Sequence, residues 1–355
     1  MTGKYKTKTV AVAMSGGVDS SVAAALLLKK GFKVIGLTMK LFSSSTAHSS
    51  TGCCADEALD SARRIAAKIG IEHRVVDCQK EFEQSVIDNF ISEYSRARTP
   101  NPCVTCNKII KFGSLLNLAK EMGCDHLATG HYAQIRKKKG RHILARAKDI
   151  SKDQSYFLWT LSQKQLRSVI FPLGSYPKQV VRELADSMGI ESFNKPESQE
   201  ICFIPKGHYS EYLSQRKAFP AGEIVDINGK VLGKHNGIVK YTIGQREGLG
   251  IALGKAQYVI DLDYSSNLVI VGDDSLLFRN SITATNVNWF INQPRRQIKA
   301  TVKIRNQHKG SLALIKAIDE ETAQITFVEK QRAITPGQSA VFYQGELVLG
   351  GGLIK

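Results

Sequence analysis

The segment Ser15-Gly16-Gly17-Val18-Asp19-Ser20-Ser21 constrains the fold of this chain more than any other stretch. An apolar run at residues 9–14 leads into it and a helical pattern at 19–30 leads out. A strand that turns through two adjacent glycines into a helix is the opening unit of a β-α-β architecture. Such a turn also offers backbone N–H groups and a helix N-terminus to an anion, and Ser15, Ser20 and Ser21 can add hydroxyl donors. Asp19, at the helix start, could hold a magnesium ion that bridges phosphates. The loop lacks the Gly-Lys-Ser/Thr ending that serves γ-phosphate chemistry, so cleavage between the α and β phosphates fits better.

The alternation begun there continues. Residues 9–14, 32–39, 73–77 and 126–130 read as strands, and 19–30, 55–69, 81–95 and 111–122 as helices packed on them. The expected class is α/β, a Rossmann-like parallel sheet with helices on both faces. Met39 and Gly130 fall at strand ends, where such sheets bind ligands. Residues 43–51 are polar and Ser-rich and read as a mobile loop. Helical signals persist at 163–166 and 177–188, and 208–219 reads as a connecting segment. From Gly222 the chain turns to short β-rich runs, with Asn228-Gly229 as a hairpin signal, and from Ile282 strand follows strand, as in a small barrel or sandwich. Three domains are expected: 1–207, a small central 208–278, and 279–355.

Lys and Arg outnumber Asp and Glu by 49 to 32, a formal charge of +17, which favours a polyanionic partner. In residues 298–305, Ile298, Ala300, Val302 and Ile304 alternate with Lys299, Thr301, Lys303 and Arg305, so the outer face could meet a phosphate backbone or simply be solvated. The basic residues 136–139 with Arg141 read equally as an ordinary hairpin. No stretch approaches the roughly 20 apolar residues of a spanning helix. The N-terminus carries no signal-peptide core, so the expected compartment is the cytoplasm.

Seven cysteines, an odd number in a chain with no secretory signal, point to thiols rather than a disulfide framework. Cys103 and Cys106 lie three residues apart, after Pro100-Asn101-Pro102 and before a helix expected near Lys108; a helix N-terminus favours the thiolate. Cys202 lies far downstream in Ser198-Gln199-Glu200-Ile201-Cys202-Phe203. The three could instead share an iron–sulfur cluster with one open iron. Cys53, Cys54, Cys78 and Cys124 read as structural thiols, and His73 and His126 as core or surface histidines.

The glycine loop resembles the pyrophosphate loop of the N-type ATP pyrophosphatases. With it, the Pro-Asn-Pro and Cys-Asn-Lys segments, Ala128-Thr129-Gly130-His131-Tyr132, Lys152-Asp153-Gln154-Ser155-Tyr156, the Cys202 segment, Tyr241-Thr242-Ile243-Gly244-Gln245-Arg246 and Gly350-Gly351-Gly352 resemble signatures of the tRNA-specific 2-thiouridylase family over nearly the whole chain. The resemblance implies a nucleotide-binding domain, a small central domain and a C-terminal β-barrel that help hold tRNA. It implies ATP and Mg²⁺ as cofactors, a tRNA with a wobble uridine as substrate, and an upstream persulfide-bearing sulfur donor protein. The implied reaction adenylates O2 of that uridine and transfers sulfur to give 2-thiouridine, AMP and pyrophosphate. Cys106 takes the nucleophile position and Cys202 the persulfide position. Ala13, Met14, Ser15, Gly16, Gly17, Val18, Asp19, Ser20, Met39 and Gly130 match the ATP contacts. Asn101, Pro102 and Cys103 match the segment around the target base; His131, Lys152, Asp153, Gln154, Arg305, Asn306 and Gln338 match tRNA contacts. Many family members have an aspartate, proposed as acid and base, where this chain has Cys103. The competing reading is a tRNA-binding sulfur carrier that does not adenylate.

Overall fold

The structure, a computed structural model, describes residues 7–42, 56–190, 201–204, 209–251 and 254–355. The Ser-rich segment 43–51 lies outside them. The chain divides into two compact units: Met1–Val86, Cys103–Lys206 and Glu346–Val348 in one, and Ile87–Pro102, Gly207–Gly345 and Leu349–Lys355 in the other.

The first unit contains β1 (Thr9–Ala13), β2 (Lys33–Lys40), β3 (Glu72–Asp77), β4 (His126–Thr129), β5 (Ala133–Lys138), β6 (Arg141–Arg146) and β7 (Val169–Ile170). Among the described residues, a five-stranded parallel sheet runs β3-β2-β1-β4-β7. The chain leaves β1 toward β2 and β3, then returns to β4 on the other side of β1, so the crossover direction reverses between β1 and β4. In open α/β sheets the carboxyl ends of strands flanking such a reversal form the ligand crevice. Ala13 pairs with Thr129 across that junction, so the glycine loop and Gly130 leave the sheet side by side. The helix α1 (Val18–Lys29) is apolar nearly all round, as a helix covered on both sides must be. Val18, Val22, Ala23 and Leu27 share one buried cluster with Val10 and Val12 of the sheet and with Val181 and Ala185 of the helix Lys178–Ser187. The helix α2 (Asp56–Ile69) buries only one face, through Leu59, Ala62, Ile65 and Ala66. The basic segment 136–139 forms a hairpin, β5 with β6.

Two helices differ from the reading of the sequence. The helix expected at 81–95 begins at Gln79 and contains a π-wound stretch, Glu83–Ile87, before Asp88–Tyr94. The helix expected at 111–122 begins instead at Pro102, runs Pro102–Cys106, widens to π winding over Asn107–Ser114 and closes as Leu115–Glu121. Proline suits the first helical position, where its missing N–H would be unpaired anyway. Its neighbours Thr99, Asn101 and Thr105 read as loop, but burial of Ile110, Phe112, Leu115 and Leu116 outweighs that local preference. The connecting segment 208–219 contains a helix, Tyr209–Arg216.

The second unit holds β8 (Gly222–Asp226), β9 (Val231–His235), β10 (Tyr258–Asp263) and β11 (Leu268–Gly272), ordered β10-β11-β8-β9. The Asn228-Gly229 turn joins β8 to β9, its Asp226 carboxylate accepting from the N–H groups of Asn228 and Lys230 at 2.8 and 2.9 Å. Then come β12 (Phe278–Trp289), β13 (Ile298–Lys303), β14 (Ser311–Ala317), β15 (Ala323–Arg332), β16 (Ser339–Gln344) and β17 (Leu347–Ile354). Their order, β12-β15-β14-β13-β16-β17, closes through β12 on β17, which makes a six-stranded barrel and not a sandwich. Ala300 and Val302 face the barrel core with Ile315, Ile325 and Phe342, while Lys299 is exposed, as the alternation in the sequence requires. Among the described residues no helix is long and apolar enough to cross a membrane.

Candidate active site

The glycine loop is braced by its own serines. Ser20 Oγ accepts from the Ser15 N–H at 3.1 Å and donates to the Gly17 carbonyl at 3.1 Å, and Ser21 Oγ donates to the same carbonyl at 2.9 Å. The hydroxyls of Ser20 and Ser21, expected as phosphate donors, are thus spent on the turn, which leaves the backbone N–H groups at the start of α1 as the anion-facing set. Ser61 of α2 donates to the Gly16 carbonyl at 3.0 Å. Gly16 has φ +71°, and a Cβ there would run into the Ala58 carbonyl oxygen. Gly130 is needed for proximity: a Cβ would stand 2.8 Å from the Ser20 nitrogen. The side chains of Met14 and Met39 are buried, and the Met14 N–H donates to the Leu37 carbonyl at 2.8 Å while its carbonyl accepts from the Thr38 hydroxyl at 2.8 Å.

Asp19 does not present a vacant carboxylate. Lys178 Nζ lies 2.8 Å from each carboxylate oxygen, and the Tyr132 hydroxyl donates to Oδ1 at 2.7 Å. Lys178 is 6% exposed. No local pattern in the sequence marks Lys178, and Tyr132 closes the motif Ala128-Thr129-Gly130-His131-Tyr132, which by itself assigns it no role. Gln154 Oε1 accepts from the Tyr132 N–H at 2.9 Å, and Asp153 accepts from the N–H of Ala147 and from Ser155. Asp153 and Gln154 therefore hold Tyr132 and the loop after β6 in place; Lys152 ends the short helical turn before them. His131 packs between Phe112 and Phe171, with Nδ1 2.7 Å from the Thr129 hydroxyl. Burial, and then Lys111, holds its pKa well below the ordinary histidine value, so the ring is neutral near pH 7.

Cys103 and Cys106 lie inside the helix that begins at Pro102, not ahead of one beginning near Lys108. Cys103 is exposed and Cys106 buried at 8%. Asn107, beside Cys106, donates through Nδ2 to the Phe157 carbonyl at 3.1 Å, and its Oδ1 is buried with no partner among the described residues. Cys202 is half-buried; next to it Phe203 packs edge-on against Phe82, which meets Phe42 beyond the end of β2. All three thiols belong to the same unit as the glycine loop. Burial, then Glu81 and Asp77, pushes the Cys78 thiol up to about 11, and burial first, then Asp125, raises Cys124. Both fit the structural role read for them; Cys53 and Cys54 lie outside the described residues.

Among the described residues no three His, Cys, Asp or Glu side chains are grouped to hold a metal ion. Cys103, Cys106 and Cys202 do not form such a group, and both oxygens of Asp19 accept from Lys178 in this structure.

In the second unit Gln338 Nε2 donates to the Thr99 carbonyl at 2.9 Å and the Thr99 N–H donates to the Pro336 carbonyl at 2.9 Å. This turn pins the backbone leading into Asn101 and Pro102. Arg305 and Asn306 are exposed beyond the end of β13.

A family profile described as the tRNA methyl transferase HUP domain matches residues 8–206, a PRC-barrel domain of the same series 210–273, and an aminomethyltransferase beta-barrel domain 279–354. Proteins named tRNA-specific 2-thiouridylase MnmA are similar throughout. That of Halothermothrix orenii is 48% identical over 98% of both chains, that of Clostridioides difficile 46% over 99% of both, and that of Carboxydothermus hydrogenoformans 46% over 98% of both. A solved 4-thiouridine synthetase–RNA complex with bound ATP is 19% identical with a TM-score of 0.39, covering 59% of this chain and 50% of that one, too slight a likeness to argue from. With an α/β HUP domain, a PRC-barrel domain and a six-stranded barrel in the same order, and 46–48% identity from end to end, the chain belongs to the tRNA-specific 2-thiouridylase family.

Proposed function

We propose that the chain is a sulfurtransferase that converts the wobble uridine of tRNA to 2-thiouridine in two steps, adenylation and sulfur transfer. The observation that carries this reading is the placement of a braced pyrophosphate loop and three cysteines, Cys103, Cys106 and Cys202, in one compact unit. ATP binds across the carboxyl ends of β1 and β4, its phosphates on the N–H groups of Gly16 to Ser20. Magnesium, if bound with ATP, would supply charge neutralisation to the departing pyrophosphate. The uridine O2 attacks the α-phosphorus as the N3 proton leaves; pyrophosphate departs, and an O2-adenylated base remains.

Adenylation turns a poor leaving group at C2 into AMP. The terminal sulfur of a persulfide on Cys202 then attacks C2 and AMP leaves. Cys106 attacks the inner sulfur, the S–S bond to the base breaks, the thiocarbonyl forms and N3 regains a proton. In the alternative order, Cys106 first frees sulfide, which attacks C2. Either order ends in a Cys106–Cys202 disulfide that a dithiol reductant reopens with two electrons. The target base is extruded to be reached. Asn101, Pro102 and Cys103 form the proposed segment around that base, and His131, Lys152, Arg305 and Asn306 are proposed tRNA contacts; the proposed compartment is the cytoplasm, and the sulfur comes from an upstream persulfide protein.

Nucleoside mass spectrometry of unmodified tRNA incubated with the protein, ATP, magnesium and a persulfide donor tests the reading. ATP-dependent 2-thiouridine at the wobble position is the expected product. Pyrophosphate release without thiolation would move the reading to another acceptor, and tRNA binding without either would leave only the carrier.

A further inference from the structure

The cation that the glycine loop lacks in sequence is present in space. Loops that bind phosphate with a Gly-Lys-Ser/Thr ending carry an ammonium within the loop itself. Here the loop ends in Val18-Asp19-Ser20-Ser21, and the ammonium comes from Lys178, 159 residues away, at the first turn of the helix Lys178–Ser187. Its Nζ is 2.8 Å from both Asp19 oxygens and 5.5 Å from the centroid of the Tyr132 ring. Asp19 in turn sits in the first turn of α1, between Val18 and the Ser20 that braces Ser15.

The Lys178 side chain is buried while that of Asp19 is 31% exposed, and such a pair is a weak device for stability, because desolvating the lysine offsets much of the attraction. Retaining one against a loop built to receive polyphosphate calls for a chemical use. We infer that Lys178 is the phosphate-binding cation of this loop: held on Asp19 and Tyr132, its ammonium contacts the β- and γ-phosphates of ATP and the departing pyrophosphate. An ammonium on a flexible stem can exchange a carboxylate oxygen for a phosphate oxygen without moving the helix that carries it. The aspartate then acts as a cradle that keeps the lysine aimed while the site is empty. This inference rests on the reading of residues 15–21 as the pyrophosphate loop.

The test is equilibrium binding of ATP, inorganic pyrophosphate and AMP to the full chain, to K178Q and K178R, and to the D19N/K178Q double variant, in which no charge is stranded. AMP lacks the β- and γ-phosphates, so it reports the adenosine subsite alone. Loss of one charge-assisted contact is expected to weaken pyrophosphate and ATP by about tenfold or more in K178Q and in the double variant. AMP affinity should stay unchanged and K178R should retain most of the binding. Wild-type pyrophosphate affinity in the folded double variant would overturn the inference. So would a parallel loss of AMP and pyrophosphate, which would assign Lys178 to the scaffold. Failure of the wild-type chain to bind ATP or pyrophosphate at all would instead remove the loop reading on which the inference stands.

Discussion

The glycine loop and the helix that carries Cys106 solve opposite problems. Around the loop the side chains of Ser20, Ser21, Ser61 and Asp19 each have a partner within the protein, and α1 behind it is regularly wound. The helical run from Pro102 is α-wound for five residues and π-wound for eight, and it leaves the Asn107 Oδ1 buried and without a partner among the described residues. Wide turns of this kind recur at functional sites because they rotate the side chains beyond them out of the α-helical register. An unpaired buried acceptor costs about 1–3 kcal/mol. Binding a polyphosphate rewards donors fixed in advance, whereas passing sulfur between two cysteines requires groups that change partners. This contrast fits the proposed division, with adenylation at the braced loop and sulfur transfer at the irregular helix.

The largest expected effect tests that division. Cys106→Ser and Cys202→Ser should each abolish 2-thiouridine formation while tRNA-dependent ATP–pyrophosphate exchange continues; loss of exchange in both would erase the distinction between the regions. Next is Gly130→Ala, whose methyl group would press on the Ser20 nitrogen. Overpacking of this kind costs about 1–3 kcal/mol, so we expect a lower unfolding midpoint and loss of most exchange, measured by denaturant titration and isotope exchange. Wild-type exchange would show that the loop is less rigid than its hydrogen bonds indicate. Cys103→Ser should reduce thiolation only partly, and full activity would show that thiol to be dispensable.

The smallest effect concerns Cys78, which contrasts with the thiols on the irregular side. Its pKa of about 11 exceeds the ordinary value of 9.0, so the protonated form is favoured by the fold. Its contribution to stability is complete below pH 9 and declines as pH rises through 11. Cys78→Ala should leave thiolation intact and flatten that alkaline decline, and iodoacetamide at pH 8 should leave Cys78 unmodified in the folded chain. Rapid alkylation there would break the contrast.

The parallel sheet, the loop and the alternation of β13 were legible in the sequence because each depends on periodicity or on a few adjacent residues. Strand limits shifted by a residue or so: β2 spans Lys33–Lys40 where 32–39 was read. The thiol helix starts at Pro102, ahead of both the run at 111–122 and the start expected near Lys108, because local propensity around Pro102 and Asn107 gives way to burial of Ile110 and Phe112. Gln338 and Gln154 were matched to tRNA contacts, yet in the folded chain their amides hold Thr99 and Tyr132. An amide's partner depends on what the fold brings near it, which no sequence window contains.

By itself, the sequence determined the class of fold and the strand–glycine turn–helix unit that opens it, since these follow from short-range backbone preference and hydrophobic period. Tertiary structure alone decided that a barrel closes through β12 on β17, that Cys103 and Cys106 ride within a partly π-wound helix, and that Lys178 meets Asp19 across 159 residues. These are contacts between segments far apart along the chain, and their energy comes from burial and charge pairing that exist only once the fold has formed.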